Sequence, residues 1–476
     1  VWYETHGWTE WMSAPYNENV VFTLSDMDMD EDCIHYIEYY AVDDLGNNYT
    51  EPFNQTVYVD NTPPDINKTL GQPQYQGDDG AYITSGTPIW VNATDNGTEP
   101  CIVGSVNLTV EVFNATTGAL IYSDWVYVED GWAYLPPFTI DEECVHWVNV
   151  TAVDDLGNTA WHNQTVYVDN SPPVSTVESF VSYCQNVTDG NPLAINATIV
   201  DYPLGCASGV KNATLWYRYA RYNHSFTGWF SLGTVHGEPW QWQFTAPNGS
   251  GYYQFYVAAC DALGHCELYP PDGSTVPRAL LSVSYNYSCD LFYNQTGWNL
   301  FTVPVQQPSL GRASDLVDFV NSFSSDSCTV VTRWLRGEQR FVSYVVLPDG
   351  GSSGVDFVLV PGEGYFVYVT CNVTGLFLEG CLVEYDDISL MLHSGYSLIG
   401  WANLETTWAS RLAGNISGCT KVALWNATVQ AWDPEYIVGL PDYDFDVEMG
   451  TAMFVFRPEV ATLPWDGGRT MLVLPP

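Results

Sequence analysis

The chain runs to 476 residues and sets 56 acidic side chains against 13 lysines and arginines, a formal net charge of −43. So acidic a surface repels nucleic acid and anionic lipid and suits cations or a cationic partner surface. No apolar run approaches the roughly 18 residues that cross a bilayer, and Gly, Pro and Asn interrupt an aromatic-rich sequence about every ten residues, the punctuation of short strands and tight turns.

Val1 opens directly into a strand-like Val-Trp-Tyr-Glu with neither an initiator Met nor a signal peptide, so the chain reads as a mature or partial product. Next comes the run SDMDMDEDC, which places Asp26, Asp28, Asp30 and Asp32 at alternating positions. Clustered hard oxygen donors suit Ca²⁺, while the plainer reading is a solvated acidic loop, with Asp141, Glu142 and Glu143 at the corresponding place further on.

DEDCIHYIEYYAVDDLGN from Asp30 lies over DEECVHWVNVTAVDDLGN from Asp141, and both continue into NQTVYVDN and a proline pair, ending at Pro64 and Pro173. A third, diverged copy reads YYQFYVAACDALGH around Asp261. Each unit is a set of alternating strands and a turn led by Asp43, Asp154 or Asp261, which side-chain bonds to the following backbone explain. In the first two copies a last strand then runs into Pro-Pro, which cannot join a ladder and serves as a stiff linker. The boundaries are 1–64, 65–173 and 174–285, the first unit lacking its opening strands. Either the parent protein continues upstream or a neighbouring subunit supplies those strands.

From about Asn286 a second duplication appears. TGWNL at Thr296 matches SGYSL at Ser394, ASDL at Ala313 matches ASRL at Ala409, SCTVVTRW at Ser327 matches GCTKVALW at Gly418, and DFVLVPGEGYFVYV at Asp356 matches DFDVEMGTAMFVFR at Asp444. Residues 286–476 therefore read as two β-rich halves, 286–385 and 386–476, each with one short helix and a glycine in the turn entering its final strand.

The first two units, with their Asp-X-X-Gly-Asn turn and Thr/Ser-Pro-Pro linker, and the third, which departs by having Cys260 and His265 in its turn and no proline pair in place, resemble the Ig-like repeats of prokaryotic surface proteins. The GWNL element with its Pro-Gly-X-Gly-aromatic strand resembles a module near the C-termini of archaeal surface-layer and sheath-type glycoproteins. The resemblance implies an all-β chain of tandem Ig-like β-sandwiches followed by a duplicated β-rich domain, at the cell surface.

Two further signals bear on compartment. Nineteen Asn-X-Ser/Thr sequons occur, at Asn48, Asn54, Asn67, Asn92, Asn96, Asn107, Asn114, Asn149, Asn163, Asn186, Asn196, Asn212, Asn223, Asn248, Asn286, Asn294, Asn372, Asn415 and Asn426, far more than chance supplies. Twelve cysteines, none in a Cys-X-X-Cys pair, argue for disulfides in an oxidising place. Cys33 and Cys144 share a repeat position, as do Cys101 and Cys206. Within-unit pairing suggests Cys101 with Cys144, Cys184 with Cys206, Cys260 with Cys266 and Cys371 with Cys381, with Cys328 and Cys419 bridging the two halves. The partner of Cys33 lies upstream on this reading, and Cys33 or Cys289 is available to another subunit. Spacing alone leaves the connectivity open.

The histidines of the CIH and CVH triplets invite a metal, but parity opposes it: an outward Asn149 turns Cys144, His146, Val148 and Val150 inward. No HExxH helix, phosphate loop or dinucleotide motif occurs, and no carboxylate pair stands out from the acidic background, so no enzyme is expected. The reading is a structural surface glycoprotein carrying N-glycans, needing no cofactor beyond an optional Ca²⁺, and assembling with itself and with other surface glycoproteins into a layer, sheath or filament. An adhesin or carbohydrate-binding ectodomain, using some of the 19 Trp and 32 Tyr as stacking platforms, is the alternative.

Overall fold

The computed structural model describes residues 2–3, 7–8, 32–48, 50–95, 104–129, 131–180, 184–222, 225–268, 279–440, 443–458 and 461–468. Strands dominate, and among the described residues α-helix occurs twice, over Ala313–Phe323 and Ala409–Asn415. No described helix is long and apolar enough to cross a membrane.

Copy two is a sandwich. One sheet runs Leu120–Val128, Val106–Asn114, Cys144–Val153, Thr159–Val168, Ala81–Ile83 and Gln74–Gln76, facing a second of Trp132–Phe138, Ile89–Thr94 and Asp65–Leu70. Strict alternation builds its core. Val106, Leu108, Val110 and Val112 point inward from one strand, Val148, Val150 and Ala152 from the next, and all are fully buried against Ile89, Val91, Ala93 and Leu135. His146 lies in this inner set, buried, while Trp147 is exposed, which is the predicted parity.

Copy three repeats the plan, with sheets of three and five strands around Phe244, Tyr253, Phe255 and Leu281. Copy one contributes a single four-stranded sheet among the described residues. Its pairing of Trp2 with Tyr36 is the repeat equivalent of Phe113 with Trp147. Cys33 and His35 are buried, His35 like His146 of copy two, yet Tyr39, which matches the fully buried Val150, is 52% exposed.

The two C-terminal halves share one strand order. Trp298–Thr302, Gly364–Val369, Cys328–Leu335, Arg340–Val346 and Ser352–Gly354 form one sheet, and Gly395–Gly400, Ala452–Arg457, Lys421–Asn426 and Ala431–Ile437 the other. The helix of each half starts on the same clamp, a later aspartate binding the backbone N–H and hydroxyl of its first serine: Asp356 with Ser314, Asp444 with Ser410. Gly362 and Gly450, at positive φ of +75° and +88°, sit in the turns entering Gly364–Val369 and Ala452–Arg457, which are not the final strands expected, since Val373–Leu382 and Leu463–Trp465 follow them. Between the sheets, Phe366, Leu398 and Phe454 pack with Trp298, Trp334 and Trp425.

Leu108→Ala removes a fully buried side chain from the copy-two core and should cost about 3 kcal/mol. Trp161→Ala, on the exposed face, should change stability by less than about 0.5 kcal/mol. Denaturant unfolding of the two variants, followed through hydrogen exchange of the Val106–Asn114 strand, checks the contrast.

Candidate functional site: the junctions between modules

Copy one's last strand, Phe53–Val59, ends at Asp60 and continues as Asn61-Thr62-Pro63-Pro64; copy two's, Thr159–Val168, ends at Asp169 and continues as Asn170-Ser171-Pro172-Pro173. The prolines offer no N–H, and the other linker donors are satisfied. Asp32 accepts from Asn61 N at 2.9 Å and Thr62 Oγ1 at 2.7 Å; in copy two Glu143 accepts from Asn170 N at 3.1 Å and Ser171 Oγ at 3.0 Å. Asp60 and Asp169 close the turn on Thr62 N and Ser171 N. Asp32, one of the four aspartates read as candidate calcium donors, accepts these linker bonds through both of its oxygens. Asp26, Asp28 and Asp30 fall outside the described residues.

The turn aspartates behave as turn formers. Asp43 Oδ1 accepts from Leu45 N and Asn47 N, and the Asn47 side-chain bond leads in holding its carboxyl below the usual range. Asp154 makes the same set with Leu156 and Asn158. Asn158 Nδ2 also donates to Asp60 O at 2.9 Å, tying turn to linker. In copy three His265 replaces the asparagine, its Nδ1 lying 2.7 Å from Asp261 Oδ2.

These turns sit at the entry end of each sandwich, where carboxylates converge. Oxygens of Asp60, Asp95 and Asp154 lie within 4.8 Å of one another, as do ligating atoms of Asp169, Asp261 and His265. Register makes the two sites equivalent: Asp65 pairs with Thr94 and Val174 with Val200, so Asp95 and Asp201 occupy the same place. Gly104 N donates to Asp95 Oδ2 at 3.0 Å, and Gly209 N to Asp201 Oδ2 at 2.8 Å. Burial first, then the charge of Asp169, pushes Asp201 up to about 6. Sequence reading found the turn aspartates singly; the cluster needed the fold, because its members lie far apart in the chain.

Disulfides join Cys144 to Cys206, Cys184 to Cys381 and Cys260 to Cys266. The last matches the sequence expectation; the first two correct it, and strand length is the reason. Cys144 opens a ten-residue strand at the exit end of copy two, about 30 Å along that strand from the entry end where Asp95 and Gly104 lie. Cys206 lies at the entry of copy three, beside Asp201 and Gly209, facing that exit. Cys371 lies just before the extended Val373–Leu382 strand and Cys381 near its far end, so they cannot meet. Cys184, paired through its strand with Ser282 at the exit of copy three, reaches Cys381 instead. Cys328 and Cys419 are buried in the separate cores of their halves and do not bridge them. With Cys289 and Cys371, they are free thiols. Cys33 is disulfide-bonded, so no upstream partner need be assumed for it; Cys101 lies outside the described residues.

Copy three meets the C-terminal region with Ser284 alone between the Ala279–Val283 and Tyr285–Leu291 strands. Ser284 Oγ donates to Glu379, Tyr222 OH bridges Asn403 Oδ1 and Leu404 N, and Arg221 pairs with Glu405.

The sequon asparagines within the described residues are exposed or half-buried, except Asn114. Asn114 is buried, and its Oδ1 accepts from Thr116 N and Thr117 N to form a turn. Asn67 lies directly across from Asn92, and Asn149 from Asn163. Asn96 and Asn223 lie outside the described residues. One Gly-X-Ser-X-Gly spacing, at 350–354, places Ser352 on an exposed hairpin strand rather than the strand-to-helix elbow a nucleophile needs. A cavity of about 260 Å³ between the C-terminal halves is lined by Trp334, Phe341, Tyr396, Trp432 and Phe454, with the Lys421–Glu435 ion pair at its wall.

No family model matches the chain, and no curated protein matches it. Among solved structures it is similar to the fibronectin(III)-like modules of CbhA from Clostridium thermocellum, at 17% identity over 45% of this chain and 93% of that one, with a TM-score of 0.22. A tetra-tandem repeat from the extending region of a large adhesion protein matches at 16% identity, over 74% and 82% of the two chains, with a TM-score of 0.28. A 1.5-MDa bacterial ice-binding adhesin matches at 14%, over 66% and 98%, again with a TM-score of 0.28.

Two measurements check the junction. Peptide mapping without reduction should recover Cys144 linked to Cys206 and Cys184 to Cys381, and the repeat equivalence predicts Cys33 linked to Cys101. Under native conditions a maleimide should label exposed Cys371 first. Burial pushes the Cys328 thiol up to about 12 and Cys289 to about 11, so both should react only after unfolding.

Proposed function

We propose that the chain is part of a structural cell-surface glycoprotein that assembles with copies of itself, and with other surface glycoproteins, into an extracellular layer, sheath or filament of the archaeal type. The observation that carries this reading is the junction. Linker donors are saturated, and covalent staples join copy two to copy three and copy three to the C-terminal region, which suits a stiff rod better than a flexible tether. In the chain-entropy account, the staple across 62 residues contributes about 4 kcal/mol. Disulfides and outward sequons support an oxidising, extracellular location with covalent N-glycans. No catalytic role is assigned.

Negative-stain electron microscopy of native material should show ordered tubes, sheets or fibres; dispersed single rods under every condition would sink the assembly reading. Glycopeptide mapping should find carbohydrate on exposed acceptors such as Asn163 and none on Asn114.

The aromatic cavity favours a second reading, an adhesin that binds carbohydrate. A sugar ring stacks on Trp432 or Trp334 while Lys421 and Glu435 meet its hydroxyls. On that reading, oligosaccharide titration quenches tryptophan fluorescence, and Trp432→Ala abolishes the response.

A further inference from the structure

The side chains of Asp169 and Asp261 are fully buried at the entry of copy three, with Asp201 beside them. Among the described residues none of the three pairs with a lysine or arginine. Asp261 Oδ2 meets His265 Nδ1, and its Oδ1 accepts from the Gly264 and His265 amides. Ser208 adds an observation independent of the acids. It is 7% exposed, its Oγ has no hydrogen-bond partner, and its own amide donates to Asp169 Oδ2 at 2.7 Å. Covalent geometry keeps that hydroxyl within about 6 Å of the carboxylate. A buried hydroxyl with free lone pairs beside convergent buried carboxylates is a donor set for a hard cation.

We propose that Asp169, Asp201, Asp261 and Ser208 bind one Ca²⁺ at the entry of copy three, and that Asp60, Asp95 and Asp154 bind a second at the entry of copy two. Oxygen donors from separate loops suit calcium's variable coordination better than the strict octahedron of magnesium. His265 is a positioning residue, its Nδ1 hydrogen-bonded to Asp261 Oδ2 as ligating carboxylates are commonly held by hydrogen bonds from behind. At each site one ligand, Asp169 or Asp60, belongs to the linker and the others to the module it enters, so the ion fixes the angle at which one module follows another.

The test uses the dispersed full chain, so its outcome is independent of assembly. Hydrogen exchange is compared after chelation and in millimolar calcium. Calcium should slow exchange of the Ser208 and Gly209 amides at one junction and Gly104 at the other by about tenfold or more. Asp201→Asn should abolish the response at Ser208 and Gly209 and keep it at Gly104, while Asp95→Asn does the reverse, the untouched junction reporting that each variant is folded. No calcium-dependent slowing at either junction, or slowing that survives Asp201→Asn at its own site, overturns the proposal.

Discussion

Everything between the modules depends on where the linker's backbone donors go. An Asn-Ser/Thr-Pro-Pro segment between two sandwiches has two N–H groups to satisfy and two prolines that cannot contribute, so left alone it would hydrate and sample many angles. Asp32 and Glu143, each just before the strand beside it, take the asparagine N–H and the following hydroxyl, and Asp60 and Asp169 take the second N–H. Aspartate and glutamate serve the same place in successive copies because only a carboxylate's second lone pair is needed, and either side-chain length brings one there.

Once the linker is held, the rest of the junction falls into register. The exit end of one sandwich presents Cys33 or Cys144 at positive φ, 103° and 89°, off the regular strand geometry. The entry end of copy three presents Cys206 and a trio of aspartates around a Gly amide. Exit meets entry, which is why the bond crosses the boundary. The C-terminal region shows the same economy: Asp356 and Asp444 fix their helices through identical serine contacts although the strands around them have diverged.

Sequence carried the fold further than it carried the chemistry. Strand parity was legible because one sequon, Asn149, orients a whole strand, and both duplications were legible because their turn residues survive. Disulfide partners were not, since spacing measures distance along the chain whereas a ten-residue strand puts its two ends about 30 Å apart. Nor was the role of Asn114 legible: a sequon and an Asn-headed turn are the same three letters, and only burial separates them. The carboxylate clusters were half-visible. Asp154 and Asp261 stood out as repeated turn residues, but Asp95 and Asp201 look like any acid after a strand until register aligns them.

The staples also decide how tension travels. A pull between the exit of copy two and the C-terminal region passes from Cys144 to Cys206, back along the backbone to Cys184, and across to Cys381. That covalent path holds about 22 backbone residues, roughly 75 Å at full extension. It runs through the Cys184–Gln185 and Leu193–Val200 strands of copy three, while the Val210–Ala220 and Gly251–Asp261 ladder and the five-stranded sheet of the first C-terminal half lie outside it. Stretched hard, the chain would reach a taut limit with most of those hydrogen-bonded ladders never having borne the load.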